Sequence, residues 1–100
     1  MVNKKQIIQR IEQNSSRIKS LGVSKLILIG SYARDEQKKN SDIDFIVRFE
    51  KGRGLFDDFI GLLHFLEDLF HKKIDLAEMN LIKEELKPSI LGGKKIEAKI

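Results

Sequence analysis

The sequence predicts an α/β domain: a small mixed β-sheet with helices packed on one face. Three observations carry that reading. The elements run helix, strand, strand, helix, strand, helix. One stretch, Ser41 to Glu50, alternates with period two, so Ile43, Phe45, Val47 and Phe49 face one way while Asp42, Asp44, Ile46 and Arg48 face the other. The helical stretches carry apolar arcs suited to the first of those faces, which leaves the acidic set on an open face.

Taken in order, Asn3 to Leu21 reads as a helix because Ile7, Ile8, Ile11, Ile18 and Leu21 approximate one helical face, with Gly22 as its stop. Val23 to Ile29 reads as a buried strand, apolar on both faces in its second half. Gly30 to Arg34 turns into a short helix, and Asp35 to Asn40 is a charged loop ahead of the alternating strand. Lys51-Gly52-Arg53-Gly54 is expected to be a flexible turn. Leu55 to Phe70 is the longest apolar helix, followed by a third strand from Lys72 to Glu78. Leu81 to Lys87 is expected to be helical and to end at Pro88, which disfavours helical geometry in the residue before it. The last dozen residues, with Gly92-Gly93, carry no clear pattern.

One hundred residues make a single domain, 1–100, too small for separate catalytic and substrate domains. The absence of cysteine excludes disulfides, zinc-thiolate sites and thiol nucleophiles. No apolar stretch approaches the roughly 18 residues of a membrane span, and the N-terminus lacks a signal peptide's apolar core, so a cytoplasmic protein with no membrane partner is expected. The net charge of +4 comes from scattered pairs such as Lys4-Lys5, Lys38-Lys39, Lys72-Lys73 and Lys94-Lys95. With Phe confined to apolar runs there is no base-stacking platform, and direct nucleic-acid binding is not expected.

The chemistry-bearing stretch is residues 30–44. Asp42 and Asp44 lie two apart in a strand, so both carboxylates share a face, and like charges held that close call for a cation between them. Mg²⁺ takes carboxylate oxygens and completes its shell with phosphate. Asp75, between Ile74 and Leu76, joins them if the third strand pairs beside the second. Three carboxylates suit two ions, one activating the attacking hydroxyl and the other steadying a triphosphate. The Gly30-Ser31 turn offers backbone N–H groups and a hydroxyl to phosphate, and Arg34 one turn on could neutralise its charge. Phosphoryl or nucleotidyl transfer is the chemistry this set suggests. An EF-hand starting at Asp42 fails, since Val47 and Arg53 stand where Gly and Glu are required. There is no P-loop, no GxGxxG, and no GxSxG elbow around Ser31. His64 and His71 fit a surface pair and a helix C-terminus, not a catalytic base.

Gly30-Ser31, a gap of ten residues, then Asp42-Ile43-Asp44 resembles the signature of the polymerase-beta-like nucleotidyltransferase superfamily. The longer pattern, Gly-Ser-Tyr-Ala-Arg, then Ser-Asp-Ile-Asp-Phe-Ile-Val, then Lys-Ile-Asp-Leu, is similar to its minimal nucleotidyltransferase (MNT) branch from about Val23 to Ala77. The family often has Gly after the Ala-Arg pair, where this chain has Asp35. The resemblance implies that family's fold, with Asp42, Asp44 and Asp75 as catalytic metal ligands and Gly30, Ser31, Arg34 and Ser41 as nucleotide- and phosphate-binding residues. It implies Mg²⁺, as two ions, and ATP as donor. Members of the branch are typically encoded with a HEPN-domain protein, often an RNase toxin. They act as its antitoxin by moving AMP from ATP to a tyrosine on it. A non-catalytic antitoxin-like binding subunit, and nucleotidyl transfer to RNA or a small molecule, are the competing readings.

The helix Leu55 to Phe70 adds an expectation of association. Phe56, Phe59, Ile60, Leu63, Leu66 and Phe70 form a stripe for the sheet. Leu62, Phe65 and Leu69 widen it, and if exposed they would form a patch for a partner protein or for a second copy in a homo-oligomer. The alternative is that the C-terminal segment folds over them.

Overall fold

A computed structural model describes residues 2–100. The first predicted helix is two. Asn3 opens α1 (Lys4–Gln13) with a reciprocal cap, its side chain accepting from the Gln6 N–H at 2.9 Å while Gln6 accepts from the Asn3 N–H at 3.1 Å. The run breaks at Asn14, whose side-chain amide donates to the Arg10 carbonyl at 2.8 Å and competes with the helical ladder. Helix α2 (Ser15–Ser20) follows, and Gly22, at φ +84°, ends it in a conformation that glycine adopts without strain.

Strand β1 (Val23–Ile29) has the bounds the sequence predicts, and α3 (Gly30–Ala33) follows with no intervening loop. Strand β2 (Ile43–Phe49) starts two residues later than expected, so Asp42 precedes the strand. Helix α4 (Phe56–Phe70), β3 (Ile74–Glu78), two 3-10 turns at Met79–Leu81 and Glu84–Leu86, α5 (Lys87–Leu91) and β4 (Ile96–Glu97) complete the chain. Pro88 does not terminate a helix. It sits in the first turn of α5, where its missing N–H has no partner to lose.

The sheet order is β3-β2-β1-β4, with β1 antiparallel to β2 and β4, and β2 parallel to β3. Against one face, Ile7, Ile11 and Ile18 from α1 and α2 pack with Leu62, Leu66 and Phe70 from α4 over Leu26, Leu28, Phe45 and Val47. The Phe45 and Phe70 rings stack with centroids 6.3 Å apart.

Helix α4 is rotated from the expected stripe. Leu62, assigned to its outer flank, is fully buried, whereas Phe56, assigned to the sheet, is 74% exposed. Leu62, Leu66 and Phe70 recur at intervals of four and set the buried line. Phe65 and Leu69 are half-buried against the core, with the Arg17 guanidinium 5.9 Å from the Phe65 ring centroid, so the expected Leu62-Phe65-Leu69 patch does not form. The residues after β3 divide between the faces: Ile82 and Ile90 come to Ile46 on the opposite face, while Ala98 joins the main core with Ile96 and Ile100 packed against it, and the Lys99 N–H donates to Glu12 of α1 at 3.0 Å. The Lys51–Gly54 turn is pinned: Arg53 bonds Asp58 through two nitrogens, both at 2.9 Å, and the Gly54 N–H donates to Asp58 at 2.9 Å. Asp58 is held down to a pKa of about 2, first by that Arg53 hydrogen bond.

Candidate active site

Strand pairing builds the site. In the parallel ladder Asp44 lies opposite Asp75, and in the antiparallel ladder it lies opposite Ile29, the last residue before the Gly30 turn. Gly30 has φ +75°, and a β-carbon there would overlap the Asp44 carboxylate. The turn and the carboxylate thus approach as closely as a bare backbone allows, which is why glycine stands at this position. Asp44 is half-buried and Asp75 exposed. Burial pushes the Asp44 carboxyl above its ordinary value. The Asp75 charge, the Asp42 charge and a proton that Asp44 and Asp75 can share add to the shift, against a weaker pull down by Arg34.

The expected site residues divide. Asp44 and Asp75 meet in register, and Gly30 abuts Asp44. Asp42 is close enough to repel Asp44, yet its own carboxylate is 3.9 Å from the Lys73 amine. Among the described residues, no three His, Cys, Asp or Glu side chains gather into a ligating cluster. The three aspartates therefore share an electrostatic neighbourhood without forming a three-carboxylate cage. Ser31 is half-buried in α3, and its carbonyl accepts from the Glu36 N–H at 2.8 Å. Arg34 caps α3 and is held by Glu36, Nε to Oε1 at 2.7 Å. The Ser41 hydroxyl is occupied in its own loop, accepting from the Lys38 N–H at 2.8 Å. Asp35 takes φ +61°, the left-handed geometry glycine adopts freely. His64 is exposed on α4, and His71 caps that helix at φ +51°.

Sequence reasoning passed over Lys73 and Glu36, which hold Asp42 and Arg34. Charge sign at positions flanking the acids was the available signal. It also passed over a cleft of about 190 Å³ beside Asp44 and Asp75, whose walls include Ile46, Ala77, Ile82 and Ile90. No local pattern brings residues 82 and 90 to strand β2.

Residues 4–97 match the family model described as Nucleotidyltransferase domain. The chain belongs to that family. This nucleotidyltransferase domain is 43% identical over 71 residues to a protein assigned as a protein adenylyltransferase in Methanocaldococcus jannaschii, covering 71% of this chain and 75% of the relative. It is 36% identical over 70 residues to the protein adenylyltransferase MntA of Thermococcus cleftensis, covering 70% of each. In structure it is similar to a minimal nucleotidyltransferase, with a TM-score of 0.79, 28% identity and 95% of each chain covered. It shares its fold with a chain from the complex of a tri-AMPylated Shewanella oneidensis HEPN toxin and an MNT antitoxin. There the TM-score is 0.60 at 16% identity, over 90% of this chain and 70% of that one. Among the described residues, no helix is long and apolar enough to cross a membrane.

Proposed function

We propose that this nucleotidyltransferase domain transfers AMP from ATP to a hydroxyl on a partner protein, a tyrosine of a HEPN-type toxin, and acts as that toxin's antitoxin. The observation that carries the reading is the in-register Asp44–Asp75 pair, with the Gly30 turn pressed against Asp44. Adenylyltransferase relatives and the fold shared with an MNT antitoxin complex support AMP as the group moved and a HEPN protein as the acceptor.

The donor set fits Mg²⁺. Hard cations bind through one or two carboxylates plus substrate phosphate, and Asp44 and Asp75 supply the carboxylates, with Asp42 as a third once it leaves Lys73. The ion, when bound, supplies charge for the phosphates and lowers the pKa of the attacking hydroxyl. The chain does the rest. The Gly30-Ser31 backbone and the Ser31 hydroxyl donate to phosphate oxygens, and Arg34, exchanging Glu36 for phosphate, neutralises charge on the nucleotide. Ser41 shapes the loop ahead of Asp42. Asp75, the more exposed of the paired acids, receives the acceptor's proton.

A second reading, an antitoxin-like subunit that binds without chemistry, is favoured by the salt bridges that turn Asp42 and Arg34 towards Lys73 and Glu36. Incubation with ATP, Mg²⁺ and a HEPN-domain protein of the same genome separates the two. Adenylyl transfer raises the toxin's intact mass by whole AMP units. A toxin that is neutralised at unchanged mass gives the second reading.

A further inference from the structure

We infer that Lys73 is a phosphate-binding residue with two stations: its ammonium sits at Asp42 while the site is empty, and passes to the nucleotide's phosphate chain when Asp42 takes the ion. The inference rests on the transfer reading above. Lys73 is placed by the same ladder that pairs the acids. Ile43 lies opposite Ile74 and Asp44 opposite Asp75, so one step back along both chains Asp42 lies beside Lys73. The Ile43 N–H, donating to the Lys73 carbonyl at 3.1 Å, fixes that step.

The two adjacent lysines have different work. Lys72 Nζ donates to the Lys39 carbonyl at 3.2 Å and the Ser41 carbonyl at 3.5 Å, so it braces the loop that carries Asp42. Among the described residues Lys73 Nζ reaches Asp42 alone, at 3.9 Å, and its side chain is 77% exposed. An exposed pair of that kind is worth no more than about fivefold in an equilibrium constant, so it holds Asp42 without locking it. A divalent ion has twice the charge and approaches carboxylate oxygen to about 2.1 Å, so Asp42 exchanges the ammonium for the ion.

Once displaced, the ammonium is repelled by the ion and needs another anion. Phosphate supplies it. Oxygens on neighbouring corners of an octahedral ion at about 2.1 Å are about 3 Å apart. A phosphate oxygen sharing the ion with Asp42 is therefore within reach of an ammonium already 3.9 Å from Asp42, on a flexible four-carbon stem. The Gly30 turn flanks Asp44 from β1 and Lys73 enters from β3, so the phosphate chain is met from both sides. A mere lock on Asp42 would have no role once the ion is bound.

Lys73→Met keeps an unbranched stem and removes the charge, and two ligands should then move in opposite directions. Mg²⁺ alone, titrated while the amide resonances of Asp42, Asp44 and Asp75 are followed by NMR, should bind the variant about two- to fivefold more tightly. The ATP analogue with a methylene between its α- and β-phosphates cannot transfer AMP. By calorimetry at saturating Mg²⁺, it should bind the variant about tenfold or more weakly. Lys73→Arg keeps the charge and should stay near the wild type for both ligands. Tightening of both ligands would mean a lock and nothing more, and weakening of both would mean support of the fold; either overturns the proposal. So does the absence of any shift, or a wild type that binds no analogue. A wild type that binds the analogue yet transfers nothing to a partner protein would sink the earlier reading, while the opposed shifts still decide Lys73.

Discussion

Replacing Asp44 with Asn should destroy nucleotide transfer and stabilise the fold. In the parallel ladder Asp44 faces Asp75 directly. Neighbouring strands are about 4.8 Å apart, and two unit charges near that spacing repel by about 0.9 kcal/mol at the dielectric of water and about 3.5 kcal/mol at an effective constant of 20. Asp75 is exposed and Asp44 only half-buried, so screening favours the low end, about 1 kcal/mol. For a domain of this length that is a rise in Tm of roughly 4–8 °C. The sign with pH follows from the raised carboxyl. As pH climbs from its ordinary value of 3.8, an unfolded chain ionises freely while the folded Asp44 resists, so the wild-type fold loses stability on the way to neutrality. The advantage of Asp44→Asn should therefore be largest at neutral pH and low salt, and should vanish below 3.8. Mg²⁺ should raise the Tm of the wild type more than that of the variant, by mass action on the folded state. Thermal melts by circular dichroism across pH, with and without Mg²⁺, read all of this. A variant that melts no higher than the wild type at neutral pH without metal, or that gains as much from Mg²⁺, would refute the placement of these charges.

Three further substitutions probe the frame around the site. Gly30→Ala forces a side chain into φ +75° and onto the Asp44 carboxylate; it should cost at least about 1–2 kcal/mol and abolish transfer, and a urea melt matching the wild type would count against the turn geometry. Asp58→Asn breaks the clamp on Arg53 and should lower Tm at neutral pH. Because Asp58 is held down to about 2, the wild type's advantage should fade as pH falls from 3.8 towards about 2, and a pH-independent difference would mean that the charge is not what matters. Asp35→Gly relieves a left-handed residue at φ +61° but frees the unfolded chain, and it gives up only an exposed Lys4 pair at 3.9 Å. These terms nearly cancel, so stability should stay within about 0.5 kcal/mol of the wild type, as read by chemical denaturation.

What was legible in the sequence followed local period. The bounds of β1 came from an apolar run closed by glycine on both sides, and the helix-facing set of β2 came from strict alternation. What was not legible depended on partners distant in the chain. Helix α4 is apolar around much of its circumference, so its sequence allows a rotation that puts Phe56 on the sheet; in the folded core the Leu62-Leu66-Phe70 line is buried, with Phe70 stacked on Phe45. Pro88 reads as a stop because proline disfavours helical geometry in the residue before it, yet at the first turn of α5 it is a start, and the residues alone do not say which. The pairing of Asp44 with Asp75 required β3 to lie beside β2, a condition the sequence could state but not decide. Asp42 was placed in the strand by alternation, but the ladder begins with the Ile43 N–H donating to the Lys73 carbonyl at 3.1 Å. The same neighbouring lysine offers its side chain to Asp42.

The second face of the sheet reconciles two opposed demands within a few residues. Ile27 and Ile46 oppose each other there, almost fully buried and outside the main core, so that half must be covered. Two residues along, Asp44 and Asp75 oppose each other, and that half must stay open to a charged ligand. A regular helix laid across the whole face would bury the acids with the isoleucines, at a cost that no ordinary packing offsets. The segment after β3 avoids this by being broken into short turns and the five-residue α5, which bring Ile82 and Ile90 to the apolar half and stop there. The helix expected over Leu81 to Lys87 is replaced by 3-10 turns at Met79–Leu81 and Glu84–Leu86, and that irregularity is what leaves a bounded cleft lined by both carboxylates.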